Sequence, residues 1–207
     1  MMVKESVEEF IQELASGMPT PGGGSAAALG GAMAASLAEM VCNLTIGKEK
    51  YEDVQEEVKS EKEKLVLCRE RLVEIVDEDA GAFDRVMEAF RMPKGNEEEK
   101  ERRAAAIQEA FKLAASVPME TAEKCMEVLE HAVVVAGIGN KNSITDAGSS
   151  ALLAHASLNA ALLNVRINLS GIKDEGFVEK MTARVKELQG RADEKLAYAK
   201  EIVEEGL

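Results

Sequence analysis

Between Pro19 and Asn43 the chain reads Pro-Thr-Pro-Gly-Gly-Gly-Ser, then continues through Ala, Gly, Met and Leu with hardly a polar group. No other stretch limits the fold so narrowly. Pro19 and Pro21 hold the backbone extended and push the residues before them out of the α region. Gly22, Gly23 and Gly24 lack a Cβ, so a backbone or a ligand can come close. Ser25 suits an N-cap, and the Ala-rich run after it has high helix propensity. This predicts a bare glycine loop opening a helix whose N-terminus can receive an anion or a carboxylate. A tight loop packed against a neighbouring helix is the alternative. Residues 26–42 are long and apolar enough to raise a membrane span, but they are Ala and Gly rather than Leu and Ile, with Glu39 inside. A buried helix of a soluble bundle is the better reading.

The other segments carry helical spacing too. Val3 to about Ser16 places Val7, Phe10, Ile11 and Leu14 on one stripe, and Gly17 ends it. The Ala-rich helix runs to about Ile46, before Gly47. From about Tyr51 to Arg91, Leu65, Leu72, Val76, Phe83, Val86 and Phe90 predict one very long helix or two nearly collinear ones. Another helix starts near Glu97, is kinked or split by Pro118, and ends near Gly137. A polar turn, Asn140 to Asp146, precedes a helix to about Ser170, and the last helix spans about Phe177 to Glu205. No strand alternation is visible. The expectation is an all-α antiparallel multi-helix bundle, one domain over residues 1–207.

A formal charge of −13 argues against nucleic acid and anionic membrane surfaces as partners. Cys42, Cys68 and Cys125 are odd in number and lack metal-ligand spacing, which reads as buried, reduced thiols of a cytoplasmic protein. The acidic, amphipathic N-terminus is unlike a signal peptide.

Two acids fall where the helical pattern wants apolar residues. Asp79 lies on the stripe between Val76 and Phe83, and Glu39 lies on a line with Ala32, Ser36 and Asn43. A carboxylate on a buried face must be paired or hydrogen-bonded, or its pKa rises, which is what a general acid or base near neutral pH needs. A further polar line, Asp146, Ser150, Ser157, Asn164 and Asn168, shares one helical face. Asp146 is most simply an N-cap. His155 reads as a satisfied core residue, and no metal motif or Ser-His-Asp arrangement is present.

Three segments together resemble the cyclodeaminase/cyclohydrolase family of tetrahydrofolate enzymes. They are Pro19–Ser25 running into Met40–Lys48; Asp77–Asp84 with Arg91–Lys94 after it; and Asp146–Gly148 with Ala161–Leu169 and Ile172–Asp174. They span nearly the whole chain in the family's order. The resemblance implies an all-helical homodimer that acts on a folate without metal or nucleotide cofactor. The implied reaction is cyclodeamination of 5-formiminotetrahydrofolate, with methenyltetrahydrofolate cyclohydrolysis as the alternative. A non-catalytic folate-binding or assembly module is the reading from a different class. The implied site has Asp79 and Asp146 dividing proton transfer and pterin anchoring. Gly22, Gly23, Gly24 and Ser25 hold a polar ligand edge, Asn43, Asn164 and Asn168 orient the rings, and Lys48 or Arg166 meets the glutamate tail.

Overall fold

Each apolar-periodic segment forms a helix in the computed structural model, which describes residues 2–207. Six helices carry the fold: α1 (Val7–Leu14), α2 (Gly23–Thr45), α3 (Gln55–Arg91), α4 (Glu97–Ile138), α5 (Ile144–Leu169) and α6 (Glu175–Gly206). Among the described residues there is no strand. The all-α expectation holds.

Local chemistry at the helix ends moves some boundaries. The first helix starts at Val7 rather than Val3, because Ser6 and Glu9 form a capping box. The Ser6 hydroxyl accepts the Glu9 N–H at 3.2 Å, and the Glu9 carboxylate accepts the Ser6 N–H at 2.8 Å. Tyr51 has non-helical backbone angles (φ −117°, ψ 26°) inside a 3-10 segment, Glu49–Val54, so α3 begins only at Gln55. One very long helix or two nearly collinear ones were expected there, and α3 is a single helix. In fact α3, α4 and α6 contain 37, 42 and 32 residues.

Helix α4 passes through Pro118 without splitting. Proline has no N–H to offer the carbonyl four residues back, that of Ala114. The Asn168 side-chain amide, from α5, donates to that carbonyl at 2.7 Å and to Asn164 O at 3.0 Å. A tertiary hydrogen bond thus replaces the missing helical one. Asn168→Ala is expected to destabilise the protein by about 1–3 kcal/mol, seen as a lower urea midpoint at unchanged slope. An unchanged midpoint would mean that the orphaned carbonyl finds water instead.

Helix α2 packs against α3, α4 and α5 and is the centre of the bundle. It is long and apolar enough to cross a membrane by composition, yet much of it is covered by those neighbours. Its small residues decide how closely they approach. A Cβ at Gly31 would lie 2.6 Å from Cys125 Sγ and 3.2 Å from Leu72 Cδ1, so a side chain there would push α3 and α4 away. Around this helix the fully buried Leu65, Leu72, Leu129, Leu158, Leu162 and Leu188 supply an aliphatic core. Glu39 pairs with Arg69 of α3 at 2.9 Å, the internal ion pair that was one of its two readings. All three cysteines are free and buried, and burial pushes the Cys42 and Cys68 thiols up to about 12.

Helix α5 runs antiparallel to α2. Gly23 faces Asn164, Gly30 abuts Ser157, and the Ser150 hydroxyl donates to Ala34 O at 2.7 Å. The side of α2 not covered by the bundle carries Met33, Met40 and Leu44, which are 49%, 38% and 41% exposed. Leu163 and Ile167 on α5, and Val7 and Ile11 on α1, are exposed as well.

Candidate functional site

Asp79 leaves α3 toward the first turn of α2. Its Oδ2 accepts a hydrogen bond from the Ser25 hydroxyl at 2.9 Å. The α2 N-cap is Gly22, in an extended conformation with no side-chain cap. Ser25 is therefore the third helical residue rather than the N-cap expected, and its hydroxyl is free to hold Asp79. Gly24 lies directly under the carboxyl group: a Cβ there would come within 2.5 Å of Asp79 Cγ and 2.6 Å of Oδ2. Burial pushes the Asp79 carboxyl above its ordinary value, while the side-chain and backbone hydrogen bonds from Ser25 pull it part of the way back. The helix start expected to receive an anion is thus occupied by the protein's own carboxylate, in favourable alignment with the helix dipole.

Asn164 stands beside Gly23 and donates to Ala160 O at 2.9 Å. The amide nitrogen of Asn168, one turn on, is committed to the carbonyls of Ala114 and Asn164. Arg166 is exposed and donates to Gln189 at 2.7 Å. Gly22–Ser25, Asp79, Asn164 and Asn168 therefore gather at one end of α2.

Asp146, Asn43 and Lys48 belong to the other end. Asp146 is the third residue of α5, whose N-cap is Ser143. It is not the cap that the sequence pattern proposed. Among the described residues no donor bonds its half-buried carboxylate, so both oxygens remain available. The Ser150–Ala34 contact places Asp146, one turn earlier, level with about Ala38. That is about 20 Å along α2 from Ser25 at 1.5 Å per residue. Asn43, about 27 Å from Ser25 by the same measure, and Lys48 are both exposed. One subunit cannot apply Asp79 and Asp146 to the same ring.

His155 lies outside both ends. It pairs with Asp193 of α6 at 2.7 Å. The groove of about 790 Å³ between α4 and α6 is lined by Glu120, Glu123, Lys124, Glu127, Arg184 and Glu187, none of them a predicted site residue. Among the described residues no group of three His, Cys, Asp or Glu side chains is placed to hold a metal ion.

Residues 6–187 match the family described as formiminotransferase-cyclodeaminase. The chain belongs to this family. A methenyltetrahydrofolate cyclohydrolase of Methylorubrum extorquens is 47% identical over 204 residues, covering 99% of this chain and 97% of that one. The formimidoyltransferase-cyclodeaminase of Mus musculus is 32% identical over 90% of this chain, which spans 35% of the mouse protein. The crystal structure of formiminotetrahydrofolate cyclodeaminase from Thermotoga maritima superposes with a TM-score of 0.89 at 34% identity, covering 99% and 98% of the two chains. The family expected from the three segments is the one found.

Asn140, which the sequence shows only as part of a polar turn, is buried and bonds Thr45 and Leu44 at the end of α2. The signal was the density of Asn and Ser between Gly139 and Ile144, where a buried polar side chain was available to brace the link.

Proposed function

We propose that this protein interconverts one-carbon forms of tetrahydrofolate, with methenyltetrahydrofolate cyclohydrolysis as its main reaction. The observation that carries the chemistry is the Asp79 carboxyl, desolvated over Gly24, held by Ser25 and raised toward the range useful for proton transfer. In cyclohydrolysis, water adds to the methenyl carbon between N5 and N10, and one of its protons leaves. The C–N5 bond of the tetrahedral adduct then breaks as N5 takes a proton and the hydroxyl gives up its own to form the formyl C=O, so that 10-formyltetrahydrofolate and one net proton leave. Asp79 serves as the group that accepts and returns the proton. Asp146, with both oxygens uncommitted, anchors the N–H edge of the pterin.

The preference for cyclohydrolysis rests on the full-length similarity to the Methylorubrum cyclohydrolase. Cyclodeamination is the second reading, favoured by the Thermotoga structure. There N10 attacks the formimino carbon and ammonia departs from an equivalent tetrahedral centre, so the same acid/base group serves. Incubation with methenyltetrahydrofolate should abolish its absorbance faster than the buffer reaction does, with slower ammonia release from 5-formiminotetrahydrofolate. The reverse order would make the protein a cyclodeaminase, and turnover of neither would leave a folate-binding module.

The site we propose is completed by a second copy. A two-fold axis crossing α2 near Met33 brings the Asp79 end of one subunit against the Asp146 end of the other. The exposed Met33, Met40, Leu163 and Ile167 would then be covered. Gly22–Ser25 and Asn164 line the proton-transfer end, and Asn43 and Lys48 of the partner subunit lie toward the anchoring end. A cytoplasmic location is in keeping with three free, buried thiols.

A further inference from the structure

We propose that Asn140 is the positioning residue for Asp146, locking the first turn of α5 onto the last turn of α2 so that the anchoring carboxylate is held in place. The inference rests on Asp146 as the pterin anchor. Asn140 lies in the short link between α4 and the 3-10 turn Lys141–Ser143 that feeds α5, and it is 6% exposed. Its N–H donates to Thr45 Oγ1 at 2.8 Å, and its side-chain amide donates to Leu44 O at 3.1 Å. Leu44 O is one of the last carbonyls of α2, which have no partner inside their own helix. The Asn140 side-chain oxygen accepts the Asn142 N–H at 3.2 Å and stands 3.5 Å from the Tyr51 hydroxyl. That hydroxyl accepts the Lys141 N–H at 3.0 Å. The Asn140 carbonyl takes the N–H and hydroxyl of Ser143 at 2.9 and 3.0 Å.

The backbone N–H, the carbonyl and both side-chain heteroatoms of Asn140 are thus each engaged within the protein. The chain from Leu44 and Thr45 through Asn140 ends on Ser143, the N-cap of α5, three residues before Asp146. Alanine at 140 keeps the backbone bonds and removes those to Leu44 O and Asn142, so Ser143 and the turn behind it lose their fixed distance from α2. The effect appears in substrate binding through Asp146 and not in the proton transfer at Asp79.

The test is a double-mutant cycle read as KM for methenyltetrahydrofolate and as Kd for tetrahydrofolate by calorimetry. Asn140→Ala is expected to raise both about tenfold with kcat within about threefold, and Asp146→Asn to raise them more. In the Asp146→Asn background, Asn140→Ala should add less than about twofold. Val185→Ala, a buried change in α6, lowers Tm and leaves KM unaltered, which separates positioning from general loosening. Independent, multiplying effects of the two substitutions would overturn the inference. An unaltered KM in Asp146→Asn would instead overturn the anchoring role. If Asn140→Ala does not fold, Tyr51→Phe carries the same cycle, with a KM rise of about threefold that vanishes in the Asp146→Asn background.

Discussion

Asparagine in place of Asp79 is expected to slow turnover of methenyltetrahydrofolate by about 10²–10⁴-fold, the usual reach of a general acid or base, while the bundle stays folded. The amide keeps the acceptor that Ser25 uses at 2.9 Å, so packing over Gly24 is preserved and only the titrating proton is lost. Stability should move the other way. Burial raises the Asp79 pKa above its ordinary 3.8, so the native state holds that proton more tightly than the unfolded chain does. The group's contribution to stability is therefore complete below 3.8 and is lost as pH rises through the folded value. At neutral pH an ionised Asp79 is a cost, and Asp79→Asn removes it; Tm at or above that of the parent protein is the expected reading. Gly24→Ala should reproduce the loss of activity by another route, since its Cβ would displace the carboxyl group. An inactive variant that also melts far below the parent would make Asp79 a structural residue.

Mixing two impaired variants should restore activity. If each site takes Asp79 from one subunit and Asp146 from the other, a heterodimer of Asp79→Asn and Asp146→Asn subunits contains one site with both changes and one with neither. Random exchange makes about half the dimers hetero, so activity at low substrate should recover to about a quarter of the parent value. The separation of about 20 Å along α2 is the reason to expect this, because no movement within a well-packed helical bundle closes such a gap. Unfolding and refolding the two variants together, against each refolded alone, is the measurement. Activity no higher than the sum of the separate variants would place both acids in the site of a single subunit, or remove one from it.

Much of the architecture was legible in the sequence because helical periodicity and end-capping residues act locally. The six helices, the loop at Met92–Asn96 and the continuation of α4 to Ile138 all follow from apolar spacing and breaker residues. The errors have local causes as well. The capping box at Ser6 outweighed the apolar Val3, and Tyr51, where the long helix was expected to begin, lies instead in a 3-10 segment, so that α3 starts at Gln55. Pro118 was expected to kink or split α4; the helix does not split, and the carbonyl that proline leaves without a donor is met from fifty residues away, by the amide of Asn168.

For the site, the sequence by itself determined which groups stand out chemically: Asp79 on an apolar stripe, three glycines at a helix start, and Asp146 on a polar helical line with Ser150, Ser157, Asn164 and Asn168. It also placed the chain in its family through three separated segments. Only the tertiary structure decided how they are grouped. Glu39 had the same pattern as Asp79 and turned out to be paired with Arg69, whereas Asp79 met Ser25 and a glycine. Asp146 was freed from capping because Ser143 took that place. Hydrophobic periodicity reports which side of a helix faces inward, but it does not say what waits there. The glycine loop read as a seat for a ligand's anion became the seat of Asp79, because α3 runs close enough to fill it first.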